Sequence, residues 1–323
     1  AERMKAVVVH EFGPPDTMTS TEVPDLEPGP GEVRIVVAAS GVHMVDTAVR
    51  AGRALGPFPQ PSLPYVPGRE VAGTVDRVGA GADETWLGRP IVVSLGNANG
   101  GYAEQAVAPV DALHDVPATL HSTSAVAMVG TGRTAVGIAA NAAFDPDDVV
   151  LIPAAAGGLG STLVQLARVA GARVIALAGG SAKVALAERL GADVALDYLD
   201  PDWPSHVGMR PTVLLYGVGG TVTERALPIL ADGARVLVFG QTSGADGELD
   251  QAVLDARSIT IRMSLGSGGG FTPANIRRWA STAIQLAADG VVRPEITLYP
   301  LADAAQAHKD LLGRSTVGKV VLA

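Results

Sequence analysis

The chain has 323 residues, of which 47% are hydrophobic and 18% charged, with a formal net charge of −9. This length favours two domains, and the acidity argues against nucleic acid or an anionic membrane surface as the main partner. Cysteine is absent, which excludes disulfides, thiolate nucleophiles and cysteine-ligated zinc. No apolar run reaches the roughly 18 residues of a membrane helix and the N-terminus lacks an apolar signal segment, so we expect a cytoplasmic enzyme.

The first region, from Met4 to about His121, has short strands broken by glycine and proline. The pattern predicts few helices and strands at 5–10, 32–40, 70–78, 90–94 and 102–109. We therefore expect a β-rich, partly barrel-like domain.

Beyond Ser122 the pattern changes to strands that alternate with helices. Strands are predicted at 149–153, 173–178, 212–216, 234–239 and 258–263, and helices at 125–143, 158–170, 181–190, 221–231 and 273–288. The tail returns to strands at 295–299 and 318–322 around a helix at 302–312. This alternation predicts βαβ units and a buried parallel sheet, so the fold class is α/β.

A glycine-rich turn follows the strand at 149–153. Ala155, Gly157 and Gly160 have the G-x-G-x-x-G dinucleotide spacing with alanine first, and Gly158 and Leu159 complete the turn. Gly157 would let the backbone approach a pyrophosphate, and Gly160 would let the helix pack close to the strand. The helix N-terminus offers free N–H groups to the phosphates. Small residues also serve simple tight packing, but the order of strand, turn and helix favours a bound dinucleotide.

The next turn indicates which dinucleotide. NAD-selective folds carry an acidic residue about 20 positions after the glycine turn, where Gly179 stands here. No Asp or Glu occurs between Gly157 and Glu188. With Ser181 as a donor and Lys183 as a cation, the segment favours NADPH. In the alternative interpretation, Ser181 only caps the next helix and Lys183 is a solvated surface residue.

The order of the motifs supports a family assignment. They are Met4–Val8, Gly31–Val33, Ser40–Val42 with Asp46, Pro67–Gly73, Gly100–Glu104, Ala154–Gly160, Leu190–Asp193 and Gly318–Leu322. Over essentially the whole chain, this series resembles the medium-chain dehydrogenase/reductase superfamily and, within it, the zinc-independent quinone oxidoreductases. The resemblance implies a GroES-like β-rich catalytic domain (1–122 and 290–323) and a Rossmann doubly wound parallel-sheet domain (123–289). It also implies an active site in the cleft between them and, commonly, a homodimer.

Two positions depart from the zinc-dependent relatives. His43 stands where those enzymes carry a catalytic cysteine, and Arg69 stands where they carry a histidine ligand. A guanidinium has no lone pair to offer a metal, so with Glu70 alone beside it we expect no metal site. Quinone oxidoreductases often carry asparagine in place of His43 and aspartate in place of Tyr216, which makes the substrate side unusual.

Without zinc, the remaining chemistry is hydride transfer to an acceptor that is already electrophilic, a quinone or an α,β-unsaturated carbonyl. His43 is the first candidate to donate to the acceptor oxygen, because its unperturbed pKa of about 6.5 allows both hydrogen bonding and proton transfer. It could instead be a packed histidine satisfied by Asp46 or backbone. Asp46 would orient rather than react. Tyr65 could reach the cleft or belong to the core.

Further cofactor contacts follow from motif position. The resemblance implies that Thr131 lies near the nicotinamide ribose phosphate, that Tyr198 flanks the adenosine and that Lys319 reaches the cofactor, although Lys319 could equally be a surface cation. Segments that follow later strands are expected at the ligand-binding edge of the sheet, and the loop after residue 263 is expected to cover the nicotinamide unless it is a simple connector. These residues are Gly217, Gly240, Gln241, Thr242, Leu265, Gly266 and Ser267.

The sequence thus predicts a zinc-independent, NADPH-dependent reductase of quinones or enones. A pathway-specific enoyl reductase of biosynthesis and a non-catalytic NADPH-binding sensor are the alternatives. Residues 258–263 alternate in the manner of a strand at the edge of the Rossmann sheet, and an unpaired edge invites pairing, so we expect a homodimer.

Overall fold

The computed structural model describes residues 2–53, 56–217, 220–240 and 250–323. The chain forms two compact units, one of 1–130 with 284–290 and 294–323, the other of 131–283 with 291–293. The sequence-based boundaries lay after 122 and before 290, because the helix that follows residue 122 was assigned to the second domain. That helix packs instead on five strands of the first unit's sheet.

The elements are numbered in chain order. The strands are β1 (Arg3–Val9), β2 (Met18–Pro24), β3 (Glu32–Val42), β4 (Glu70–Val78), β5 (Pro90–Ser94), β6 (Gln105–Pro109), β7 (His114–Asp115), β8 (Val149–Ile152), β9 (Arg173–Ala178), β10 (Val194–Asp197), β11 (Val213–Tyr216), β12 (Arg235–Val238), β13 (Thr260–Met263), β14 (Ile296–Tyr299) and β15 (Lys319–Leu322). The helices are α1 (Met44–Arg50), α2 (Ser122–Ala127), α3 (Arg133–Ala142), α4 (Gly158–Val169), α5 (Ser181–Arg189), α6 (Thr221–Ala226), α7 (Gln251–Ala256), α8 (Pro273–Ala288) and α9 (Ala304–Leu312).

The first unit is a β-structure organised around β3. Its larger sheet has the order β14-β15-β3-β4-β5-β7, with β6 also paired to β3, and β1 and β2 form a separate antiparallel pair. The inward residues of β3, β4 and β5 form one apolar core, with Ile35, Val71 and Ile91 among its fully buried members. Since β15 comes from the far end of the chain, β3 holds together segments that are very distant in sequence.

The second unit is a parallel sheet in the order β10-β9-β8-β11-β12-β13. Its central strands are continuous apolar runs, as expected when helices cover both faces of a sheet. The order reverses between β8 and β11, which is the switch point where such sheets bind ligands. The predicted Rossmann doubly wound sheet is therefore confirmed.

Several elements depart from the sequence-based expectation. The helix predicted over 125–143 is α2 and α3 joined by a π-helical turn, Met128–Gly132. The sequence did not predict five short elements without a full hydrophobic period: α1, β2, β7, β10 and α7.

Candidate functional site

The pairing of β3 with β4 and β15 brings three ionisable side chains together in the first unit. In the register, Val320 of β15 lies opposite Val42 and Val71 of β4 lies opposite Ser40. Lys319 therefore starts β15 beside His43, and the side chain of Glu70, at the start of β4, reaches the same place. We call His43, Glu70 and Lys319 the buried triad.

The buried triad is tightly connected. His43 Nε2 lies 2.5 Å from Glu70 Oε1, and Lys319 Nζ lies 3.0 Å from Glu70 Oε2. Lys319 Nζ also lies 3.2 Å from His43 Nε2 and 3.5 Å from His43 Nδ1. The Glu70 and Lys319 side chains are 2% and 5% exposed, whereas that of His43 is 26% exposed. The burial of Lys319 excludes its interpretation as a surface cation, and its predicted contact with the cofactor stays a prediction.

The charges of the triad decide the ionisation of Glu70. Burial acts to raise the pKa of Glu70, but the charges and hydrogen bonds of His43 and Lys319 lower it to about 2. Glu70 is therefore a carboxylate. Burial raises the pKa of Asp46, an effect that the nearby His43, Lys319 and Arg69 oppose.

Two glycines make room for the Glu70 carboxylate. A Cβ atom at Gly41 would overlap Glu70 Oε2, and a Cβ atom at Gly130 would overlap Glu70 Oε1. The Cβ of an alanine at 130 would also lie 3.2 Å from Cε1 and 3.3 Å from Nε2 of His43. Glycine is thus required at both positions by close approach.

Helix α1 holds His43 in place. His43 is its N-cap residue; the His43 N–H donates to Asp46 Oδ2 at 2.8 Å, and the Asp46 N–H donates to the His43 carbonyl. Asp46 is 2% exposed, which supports the predicted orienting role. The interpretation of His43 as a packed histidine satisfied by Asp46 or backbone is incomplete, since its ring bonds to Glu70.

The other end of α1 is fixed by a second buried polar cluster. Arg50 Nη1 lies 3.3 Å from His308 Nδ1, and the Tyr102 hydroxyl lies 2.9 Å from His308 Nε2. Burial and the Arg50 charge lower the pKa of His308 to about 3, so its ring is neutral and accepts from Arg50 at Nδ1. These bonds connect α1 to α9.

Tyr65 lies in the core of the first unit, which is one of the two places that the sequence left open. It is 9% exposed, and its ring centroid is 6.5 Å from that of Phe12. Burial raises the pKa of Tyr65. Its catalytic role stays a prediction. Arg69 stacks its guanidinium 4.8 Å from the centroid of the Phe58 ring.

In the second unit, the glycine turn has the geometry expected for a dinucleotide. A Cβ at Gly160 would overlap the Ala154 carbonyl oxygen, so this residue allows α4 to pack on the turn. Ala155 is buried, and its N–H donates to the Leu177 carbonyl of the neighbouring strand. Gly157 is exposed, with no atom within 4 Å of its Cβ position, and α4 begins after it without a side-chain cap. The N-terminus of α4 therefore offers uncapped backbone donors beside open space.

The turn after β9 brings in a carboxylate that the sequence analysis missed. Asp197, at the end of β10, accepts hydrogen bonds from the Gly180 N–H at 3.1 Å and the Leu199 N–H at 2.9 Å. Tyr198 covers Gly179, where a Cβ would lie 2.7 Å from the phenol oxygen. Asp197 follows Leu196 at the carboxyl end of a strand, which was the signal that could have identified it.

Ser181 and Lys183 lie in the first turn of α5. Gly180, with φ +97°, is the N-cap residue in place of the predicted Ser181. Ser181 is exposed, and Lys183 is half-buried with an interaction of its own.

The remaining predicted cofactor residues lie mostly after strands of the same parallel sheet. Gly217 follows β11 and Gly240 follows β12, with 3.8 Å between the Gly240 Cβ position and the Gly217 carbonyl. After β13, Leu265, Gly266 and Ser267 lead into a short helical turn held by a hydrogen bond from Asn141 to the Gly269 carbonyl. Thr131 lies in the π-helical turn. Gln241 and Thr242 lie outside the described residues.

Within the described ranges, no three His, Cys, Asp or Glu side chains lie close enough together to hold a metal ion. No helix in the same ranges is long and apolar enough to cross a bilayer.

Comparison with known proteins identifies both parts of the chain. The model of an alcohol dehydrogenase GroES-like domain matches residues 29–118, and that of a zinc-binding dehydrogenase matches residues 158–288. Quinone oxidoreductase 1 of Escherichia coli K12 is 28% identical over 97% of both chains, and 2-haloacrylate reductase of Burkholderia is 29% identical over 98% of both.

Solved structures agree over the whole chain. Mycobacterial Rv1454c complexed with NADPH has a TM-score of 0.84 and 33% identity, covering 99% of each chain. An NAD-dependent alcohol dehydrogenase has a TM-score of 0.86 and 31% identity, also over 99% of each chain. A GroES-like domain joined to a Rossmann domain defines an oxidoreductase. The chain belongs to the medium-chain dehydrogenase/reductase superfamily and is quinone oxidoreductase-like within it.

The close approach of Gly130 to the Glu70 carboxylate can be tested by substitution. We expect Gly130→Ala to lower the free energy of unfolding by about 1–3 kcal/mol, because the new methyl group overlaps a buried carboxylate that cannot move freely. Gly157→Ala is the matched control, since its Cβ position is open and its φ of −77° suits alanine. Denaturant unfolding of both variants measures the difference. Equal stability of the two variants would contradict the close approach at Gly130.

Proposed function

We propose that the protein is a zinc-independent, NADPH-dependent reductase of quinones or α,β-unsaturated carbonyls. The observation that carries the proposal is the buried triad: in an oxidoreductase fold, the place where zinc-dependent relatives bind metal holds an ion-paired carboxylate and an imidazole. The relatives' names are consistent with it, because both quinones and 2-haloacrylates are electrophilic without a metal ion.

The donor set does not suit catalytic zinc. Such sites use three protein ligands and an open position. Here the Glu70 oxygens contact His43 and Lys319, His43 Nε2 contacts Glu70, and Arg69 has no lone pair. The chain has no cysteine to complete a set.

The second unit fits a dinucleotide. The open space at Gly157 and the uncapped N-terminus of α4 suit a pyrophosphate, with Gly157 and Gly158 supplying backbone contact. Ser181 and Lys183 would hold a 2′-phosphate, and Tyr198 would flank the adenosine. When bound, NADPH supplies a hydride.

His43 then acts on the acceptor oxygen. Negative charge develops there as the acceptor is reduced, and a positioned N–H donor lowers the barrier by a few kcal/mol. Glu70 and the N-terminus of α1 hold the partly exposed ring of His43. When the nitrogen that does not contact Glu70 carries a proton, this ring is such a donor.

The activity is tested by turnover. We expect quinones or enones to be reduced with NADPH, activity to survive EDTA, and metal analysis to find no stoichiometric zinc. His43→Ala should lower kcat by about 10²-fold, the scale of one lost oxyanion donor, with a smaller change in KM. His43→Asn should keep part of the rate because it keeps a donor. Chelator-sensitive oxidation of simple alcohols would overturn the proposal.

Cofactor choice is tested at the 2′-phosphate. We expect Lys183→Ala to weaken NADPH binding by about tenfold, or about 1.4 kcal/mol, and to leave NADH binding unchanged. Lys183→Arg is the matched control, since it keeps the charge. Fluorescence titration measures both affinities, and an equal loss for the two cofactors would show that Lys183 is structural. Asp197→Asn should instead strengthen NADPH binding, because it removes a negative charge from the same turn.

We also propose a homodimer built on β13. Among the described strands β13 pairs only with β12, and its apolar Ile261 and Met263 are 39% and 57% exposed. Replacing both with lysine should convert a dimer to a monomer, because like charges would then face each other across the two-fold axis. Light scattering at micromolar concentration measures the mass. Val169→Lys, at a site 59% exposed on α4, is the control and should remain a dimer; a monomeric wild type would end the idea.

A further inference from the structure

The two edges of the His43 ring have different environments. Nε2 lies 2.5 Å from Glu70 Oε1, in a carboxylate whose side chain is 2% exposed. Nδ1 lies 3.5 Å from Lys319 Nζ, and the His43 side chain as a whole is 26% exposed. Glu70 therefore occupies Nε2 and leaves Nδ1 as the ring nitrogen that the carboxylate does not bond.

The hydrogen bond to Glu70 fixes the tautomer. A carboxylate accepts and cannot donate, so the proton of a neutral His43 ring lies on Nε2 and its lone pair on Nδ1. A second proton can therefore be added only at Nδ1.

Lys319 stabilises the carboxylate form of Glu70. Its ammonium lies 3.0 Å from Glu70 Oε2 and 3.2 Å from His43 Nε2, and it offsets the carboxylate charge. The carboxylate and the ammonium thus both contact the ring and hold it in one orientation.

We propose that Glu70 and Lys319 are positioning residues that make Nδ1 of His43 the nitrogen that delivers a proton to the reduced substrate. This inference rests on the proposed function. The ring that reacts carries a proton on both nitrogens. After hydride arrives at the acceptor from a dihydronicotinamide, the Nδ1–H bond breaks, its electron pair stays on the ring, and an O–H bond forms at the enolate or hydroquinone-anion oxygen. The neutral imidazole then regains its proton at Nδ1 from water.

The tautomer is measured without cofactor or substrate. ¹⁵N NMR of the full-length chain labelled at its six histidines distinguishes protonated from bare ring nitrogens, and the His43→Asn variant identifies the His43 signals. We expect Nε2 protonated and Nδ1 bare in the neutral ring. A His43 ring protonated at Nδ1 would overturn the proposal, whether or not the protein turns over a quinone or enone.

Matched variants separate positioning from folding. Glu70→Leu with Lys319→Met removes both buried charges together, so neither is left unpaired. We expect a mixture of tautomers in this variant and a single one in Glu70→Gln with Lys319→Met, where the amide oxygen still accepts. Denaturant unfolding checks that both variants fold. A single Nε2–H tautomer in the folded leucine variant would show that Glu70 does not fix the ring.

A double-mutant cycle on kcat tests whether Glu70 and Lys319 act through His43. The leucine double variant should lower kcat by at least about tenfold when His43 is present, the low end of the effect of lost acid catalysis. It should have no further effect when His43 is alanine, because the pair acts through the ring. An equal loss in both backgrounds would show that the pair is only structural.

Discussion

The structure of the first unit depends on burying one carboxylate. Removing a carboxylate from water costs several kcal/mol even after relaxation, and Glu70 is 1% exposed. Two contacts offset that cost: Lys319 Nζ lies 3.0 Å from Glu70 Oε2, and His43 Nε2 lies 2.5 Å from Glu70 Oε1. Gly41 and Gly130 complete the arrangement by leaving the volume that the carboxylate fills. The burial of Glu70 thus determines which side chains can stand at several positions on other elements.

The sequence predicted the strands of this unit well and the contacts among them poorly. The strand at 70–78 has the bounds of β4, because alternating apolar residues mark it clearly. The ion pair of Glu70 with Lys319 had no local signal, since it depends on the antiparallel register of β15 against β3. Lys319 was therefore assigned to the cofactor and Glu70 to no role beyond that of a poor metal ligand.

Local chemistry was more informative in the second unit. Gly160 has the packing role that its spacing indicated, and the Cβ position of Gly157 faces open space, because the turn is formed by adjacent residues. Asp197 shows where this approach fails. It lies 17 residues beyond Gly180 along the chain, yet its carboxylate accepts the Gly180 N–H. A search for acidic residues along one segment could not find a group that arrives from the next strand.

The pairing of β15 with β3 has a consequence for the order of synthesis. Glu70 leaves the ribosome long before Lys319, and the whole of residues 131–283 is made in between. Until β15 arrives, a nascent chain has a carboxylate without its cation and a central strand that lacks its β15 partner over Ser40–Val42. The first unit to be translated is therefore the last to be completed, and during translation this segment of β3 is available to chaperones and to other nascent chains.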